Sequence, residues 1–157
     1  MFAKPQDEHR WLKQLVGDWK FEHKCQMPDG SSTSSPGRLT CRLLGELWLV
    51  AEFEGDSAEG GAWSSIMTLG YDPTQQKYVG TFVGSMMTNL WNYQGVLEAD
   101  GRRLPLETRG PRFDGQGECA YRDTIEIVDA DRWLFTSHVQ NDSGEWQQFL
   151  DGQHTRA

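Results

Sequence analysis

Beyond residue 17, clusters of turn-forming residues cut the chain into stretches too short for a helical fold. The segments "PDG" at 28–30, "EGDSAEGG" at 54–61, "YDPTQQ" at 71–76 and "ADG" at 99–101 each read as a turn. So do "GPRFDGQG" at 110–117, "DAD" at 129–131 and "NDSG" at 141–144, and the Ser-rich run "SSTSSPG" at 31–37 reads as a loop. Between them lie about ten strands of about 7–12 residues. Consecutive strands with short hairpins predict an all-β fold, an antiparallel up-and-down barrel closed on itself so that no edge is left unpaired. No linker or internal repeat divides the 157 residues, so the chain reads as one domain, 1–157.

One helix precedes the strands. Pro5 suits a first helical turn, Asp7 and Glu8 favour the positive end of the helix dipole, and Trp11, Leu12, Leu15 and Val16 form an apolar stripe. These residues predict a helix over about 5–16, ended by Gly17.

Alternation assigns the faces. In the first strand Asp18, Lys20, Glu22 and Lys24 face water, which turns Trp19, Phe21, His23 and Cys25 inward. By the same rule Leu39, Cys41 and Leu43, then Leu47, Leu49, Ala51 and Phe53, then Trp63, Ser65, Met67 and Leu69 point inward. Tyr78, Gly80, Phe82, Gly84 and Met86 follow, then Trp91, Tyr93 and Leu97, then Tyr121, Asp123, Ile125 and Ile127. The last two stretches, "RWLFTSHVQ" and "EWQQFL", do not alternate, which leaves the side of His138 undecided.

The stretch "YVGTFVGSMMTNLWNY" at 78–93 places two glycines on an inward face. Glycine inside a strand is destabilising by roughly 0.5–1 kcal/mol relative to alanine, so both need a reason. Either neighbouring side chains fill the space or a ligand does, and the size of a ten-stranded barrel favours the ligand. The expected lumen wall is His23, Met67, Gly80, Phe82, Gly84, Met86, Trp91, Tyr93, Tyr121 and Asp123. Such a wall suits a small, partly apolar or aromatic molecule.

Composition narrows the partners. A formal charge of −8 without a basic cluster argues against nucleic acid and against an anionic membrane surface. Three cysteines without metal spacing, and an N-terminus without an apolar leader, fit a reduced, cytoplasmic setting. Cys25 and Cys41 are read as reduced core thiols that could be neighbours on adjacent strands. A homodimer is compatible with the chain.

The Gly17-x-Trp19 pair in "LVGDWKFE", at the start of the first strand, is similar to the lipocalin/calycin signature. In those barrels the tryptophan closes one end of the lumen, often beneath a basic residue from a late strand. The stretches "LWLVAE" at 47–52, "IMTLGYDP" at 66–73, "YVGTFVGSMMTNLWNYQG" at 78–95 and "LFTSHVQNDSGEWQQF" at 134–149 are longer. With the first strand they resemble a bacterial lipocalin-like family known as a domain of unknown function, the one numbered fifteen seventy-nine. The resemblance spans nearly the whole chain and implies a calycin-type barrel of uncharacterised activity. It brings no catalytic residues.

Walker, dinucleotide-binding, zinc-protease, C-x-x-C and nucleophile-elbow motifs are all missing. A binding barrel without catalysis or cofactor is therefore the leading expectation. Three alternatives stand beside it: a haem protein resembling the nitrobindin barrels with His23 or His138 on the iron, an acid–base enzyme using His23, Tyr93 and Asp123, and a barrel packed shut. Asp123 is chemically the sharpest residue, because a carboxylate facing an apolar lumen is costly unless paired.

Overall fold

The computed structural model describes residues 1–57 and 60–157. A one-turn helix, α1 (Asp7–Trp11), tightens directly into a 3₁₀ turn at Leu12–Leu15. Ten strands follow: β1 (Gly17–Gln26), β2 (Ser32–Leu44), β3 (Trp48–Ser57), β4 (Gly61–Asp72), β5 (Lys77–Gly84), β6 (Trp91–Gly95), β7 (Arg103–Pro111), β8 (Glu118–Asp129), β9 (Arg132–Gln140) and β10 (Trp146–Arg156). Each pairs antiparallel with its neighbours in sequence, and β1 pairs with β10 to close the barrel. No helix among the described residues is long and apolar enough to cross a membrane.

The helical segment plugs one end. Leu12 and Leu15 are fully buried against Trp19, Leu49, Leu69 and Leu104. Backbone-directed bonds hold the plug in place: Trp19 Nε1 donates to Leu15 O at 2.8 Å, Tyr78 Oη to Glu8 O at 2.8 Å, and Trp11 Nε1 to Gly101 O at 2.8 Å. Buried His9 accepts from the Gln6 N–H at Nδ1 (2.9 Å), so its Nε2 carries the proton donated to Tyr71 O (3.1 Å). The end is sealed by Arg156, whose guanidinium lies 4.0 Å over the Trp19 ring and donates to Val16 O (2.5 Å) and Gln14 O (3.2 Å). Gly17, at φ +129°, makes room for it, since a Cβ there would collide with Arg156 Nη1.

Inside the barrel, rings lie over glycines of the adjacent strand. Phe21 is paired with Gly37, His23 with Gly152 and Trp63 with Gly55. A Cβ at any of those glycines would run into the ring opposite, and one at Gly110 would run into Trp91. Glycine in a strand sacrifices stability that the covering ring restores through burial and packing.

Several expectations change. The Ser-rich run at 31–37 is not a loop: all but its first residue belongs to β2, where Gly37 serves as the seat for Phe21. The predicted helix is shorter and half 3₁₀, which lets Leu12 and Leu15 both reach the core before Val16 turns extended. The turn at 54–61 includes residues 58–59, which lie outside the described residues. Cys25 and Cys41 are not neighbours; Cys25 pairs with Thr33 while Cys41 pairs with Gly17, at opposite ends of the β1–β2 ladder. Met86 does not face inward from a strand, because β5 ends at Gly84 and Met86 sits in the following turn, 52% exposed. Gly80 does not leave lumen space: a Cβ there would strike the backbone oxygen of Thr68 and Leu69 Cδ2 (2.9 Å). At Gly84 the obstacle is only the Met86 thioether, with Sδ 2.5 Å and Cε 3.2 Å from the same position.

The two glycines should therefore respond differently to alanine. Neither has positive φ, so the contrast isolates contact rather than strain. Gly80→Ala is expected to lower stability by about 1–3 kcal/mol, since a backbone oxygen cannot step aside. Gly84→Ala should stay within about 0.5 kcal/mol because a methionine tip can swing. Urea melts of the two variants check this, and equal midpoints would refute it. Trp19→Ala, which removes a fully packed ring and the seat of Arg156, should cost about 3–5 kcal/mol in the same assay.

Candidate functional site

The two ends of the lumen differ. Near the helical plug the inward side chains are sealed: Leu49, Leu69, Leu104 and Ile125 show no accessible surface. At the far end Cys25, Trp63, Phe82, Trp91, Val139 and Leu150 are only half-buried. All six follow their strands' inward parity, and Trp63 also lines a cleft on β2, β3 and β4.

Two polar centres lie among these rings. In the first, the Tyr93 hydroxyl donates to Asp123 Oδ2 in a short bond, and Ser137, cross-strand partner of Asp123, also bonds the carboxylate. Burial raises the Asp123 carboxyl, against the lowering effect of its Ser137 and Tyr93 bonds. Burial, and then the adjacent Asp123, raise the Tyr93 hydroxyl well above its ordinary value. Among the described residues no Lys or Arg bridges Asp123. Asp123 keeps some accessible surface although its carboxyl lies deep among inward side chains. Buried Ser65 Oγ and Thr108 Oγ1, also on inward positions, have no partner.

The second centre is a histidine pair. His23 Nε2 and His154 Nε2 are 3.3 Å apart, so one ring donates to the other. Phe21 stacks on His23 (centroids 4.1 Å, 26°) and Trp133 on His154 (3.9 Å, 9°). Burial lowers His23 to about 4, and burial and then His23 hold His154 well below the ordinary value. Both rings are neutral at pH 7. This arrangement does not fit haem at His23, whose Nε2 is already turned to His154. His138 sits outside the lumen, between inward Ser137 and Val139, in a cleft of about 710 Å³ on the outer face with Arg122 and Trp146. Another outer cleft, of about 610 Å³, crosses β2, β3 and β4 beside Gly37 and Gly55.

The remaining expected wall residues fall into two groups. Met67 is packed in the core at 1% exposure, and Tyr121 is buried with its hydroxyl on Pro111 O (2.5 Å). Phe82 faces inward 6.5 Å from Phe53, and Trp91 meets Tyr121 edge-on at 5.0 Å while donating to Met87 Sδ at 3.0 Å. His154 and Ser137 were not legible as site residues. A bulge between Gln148 and Leu150 shifts β10 by one residue, putting Phe149 against Phe113 and Tyr121 and returning Leu150, Gly152 and His154 to the inward face.

Sequence and fold comparisons agree with this geometry. The family described as "Protein of unknown function (DUF1579)" matches residues 4–156. No curated protein matches the chain in sequence. Among solved structures, Rv2717c from M. tuberculosis is similar at TM-score 0.72 and 13% identity, over 98% of this chain and 99% of its own. The S-type phycobiliprotein lyase CPES from Guillardia theta is similar at TM-score 0.65 and 14% identity, over 98% of each chain. EF1p2_mFAP2b bound to DFHBI follows at TM-score 0.52 and 12% identity, over 96% of this chain and 99% of its own.

The histidine pair makes stability pH-dependent. His23 titrates near 6.5 when unfolded and near 4 when folded, so below pH 6.5 the unfolded chain takes up the proton first. Stability is then level above about pH 6.5 and falls toward pH 4, by on the order of 3 kcal/mol from His23. Asp123 works in the opposite sense, its raised pKa adding stability as pH falls. The difference between wild type and His23→Gln across this range isolates the imidazole term. Parallel urea midpoints for the two proteins from pH 7.5 to pH 4 would show that His23 is not held neutral.

Proposed function

The chain belongs to the DUF1579 family, and we propose that it is a non-catalytic barrel that admits a small, partly apolar or aromatic molecule at the end opposite its helical plug. The observation that carries this is the gradient of exposure along the lumen. Inward side chains at the plugged end are sealed, while Trp63, Phe82, Trp91 and Leu150 keep accessible surface at the other. An apolar mouth with a few deep polar groups is the common form of a small-ligand site. A similar barrel, EF1p2_mFAP2b, is seen bound to the small molecule DFHBI, which agrees with this reading.

Acid–base catalysis is less well supported. It needs an acid and a base converging on one substrate atom. Here His23 is committed to His154, and Asp123 to Tyr93 and Ser137. The formal charge of −8 supports a small-molecule partner over nucleic acid.

Nile red, an uncharged aromatic dye, tests the mouth. Saturable one-to-one binding with a blue-shifted emission is expected for the wild type. Gly84→Phe, at a position where an added Cβ meets the flexible Met86 tip and comes within ordinary contact of the Phe82 ring, should weaken binding at least about tenfold while leaving the melting temperature within about 3 °C. A wild type that binds no dye, or a plugged variant that binds as well, would overturn the proposal.

A further inference from the structure

We propose that the molecule held in the lumen carries a cationic nitrogen on an aromatic body, with Asp123 as the anchor for the nitrogen; this rests on the lumen being the binding site. Asp123 is a carboxylate inside an apolar barrel, and its protein donors are two hydroxyls, those of Tyr93 and Ser137. A carboxylate offers about four lone-pair sites, so acceptor capacity is left over. Burial raises the Asp123 carboxyl despite its two neutral donors, and a cation on the same oxygens would favour the ionised form that burial disfavours.

The cations of this chain are placed elsewhere. Lys20, Lys24, Arg38 and Arg42 lie on outward positions of β1 and β2. Arg103 and Arg122 pair with Glu126 and Glu107 on the outer face. Arg156 is spent on Trp19 at the plugged end. The lumen thus holds an acidic group that no Lys or Arg among the described residues pairs with. Around it stand Trp91, Tyr93 and Tyr121, with Trp63 and Phe82 on the mouth side; ring faces attract a cation and its aromatic body alike. Ser65 Oγ and Thr108 Oγ1, buried without partners, are further acceptors for N–H groups. The net charge of −8 favours the approach of cations over anions. A fatty acid or aryl carboxylate would bring a negative charge beside an acidic group that has no cation of its own.

Three ligands of one shape separate charge from shape: tryptamine, 3-methylindole and indole-3-propionate, each measured by displacement of Nile red and by calorimetry at pH 7.5. Tryptamine is expected to bind at least about tenfold more tightly than indole-3-propionate, with 3-methylindole between them. Asp123→Asn should bring the three within about threefold of one another while still binding Nile red, which also reports that the barrel is folded. Tyr93→Phe leaves the carboxylate in place and should keep the preference for the amine, so the test stands even where Asp123→Asn does not fold. Equal binding of the three by the wild type, preference for the acid, or Nile red binding with none of the three competing would each overturn the cationic anchor while leaving the pocket intact. Loss of the preference in a folded Tyr93→Phe would overturn it as well. If Nile red itself does not bind, the lumen reading falls and this inference with it.

Discussion

The interaction on which the rest of this barrel depends is the pairing of a ring on one strand with a glycine on the next. A ten-stranded barrel encloses a wide lumen, and side chains must cross it without forcing the wall apart. Laying Phe21 over Gly37, His23 over Gly152, Trp63 over Gly55 and Trp91 over Gly110 lets large rings lie close to the sheet. The strands keep their pairing beneath them, and the lumen is lined by aromatic faces instead of being filled by their full height. Glycine is therefore part of the packing here, despite its poor strand propensity.

That packing is graded along the barrel axis. The end near residue 17 is closed by three coupled devices: the 3₁₀ turn that buries Leu12 and Leu15, the Trp19 indole anchored to Leu15 O, and Arg156 lying over that indole. With one end so firmly closed, the accessible surface of the inward rings is concentrated toward the other. The stability of the plug and the accessibility of the mouth are thus two consequences of one asymmetry, since residues concentrated in the plug are unavailable to block the far end.

The buried polar groups follow from the same geometry. His23 and His154 are kept neutral because rings stack on both; burial lowers His23, and burial and then His23 lower His154. Asp123 is also deep in the barrel but has two hydroxyl donors on its carboxyl. The two imidazoles share one hydrogen bond between neutral rings, whereas the Asp123 carboxyl has acceptor capacity beyond its two hydroxyl donors, and this difference makes Asp123 the chemically demanding residue of the two centres.

Much of this was written in local pattern. Turn clusters and period-two alternation were enough for ten strands, an N-terminal helix, and the inward placement of Trp19, Phe21, His23, Trp63, Tyr93 and Asp123, because alternation along one strand depends on residues within that strand. The partners of those residues were not. His154 lies beyond a bulge that reverses the parity of β10, and a bulge is created by the neighbouring strand's register, which no single stretch encodes. The same holds for Gly80, whose neighbour is a backbone oxygen on β4, and for Met86, which is no longer part of a strand because β5 ended two residues earlier. In the strands whose residues alternate, sequence determined which side each residue takes; only closure of the barrel decided what it meets there, because that contact belongs to two strands at once.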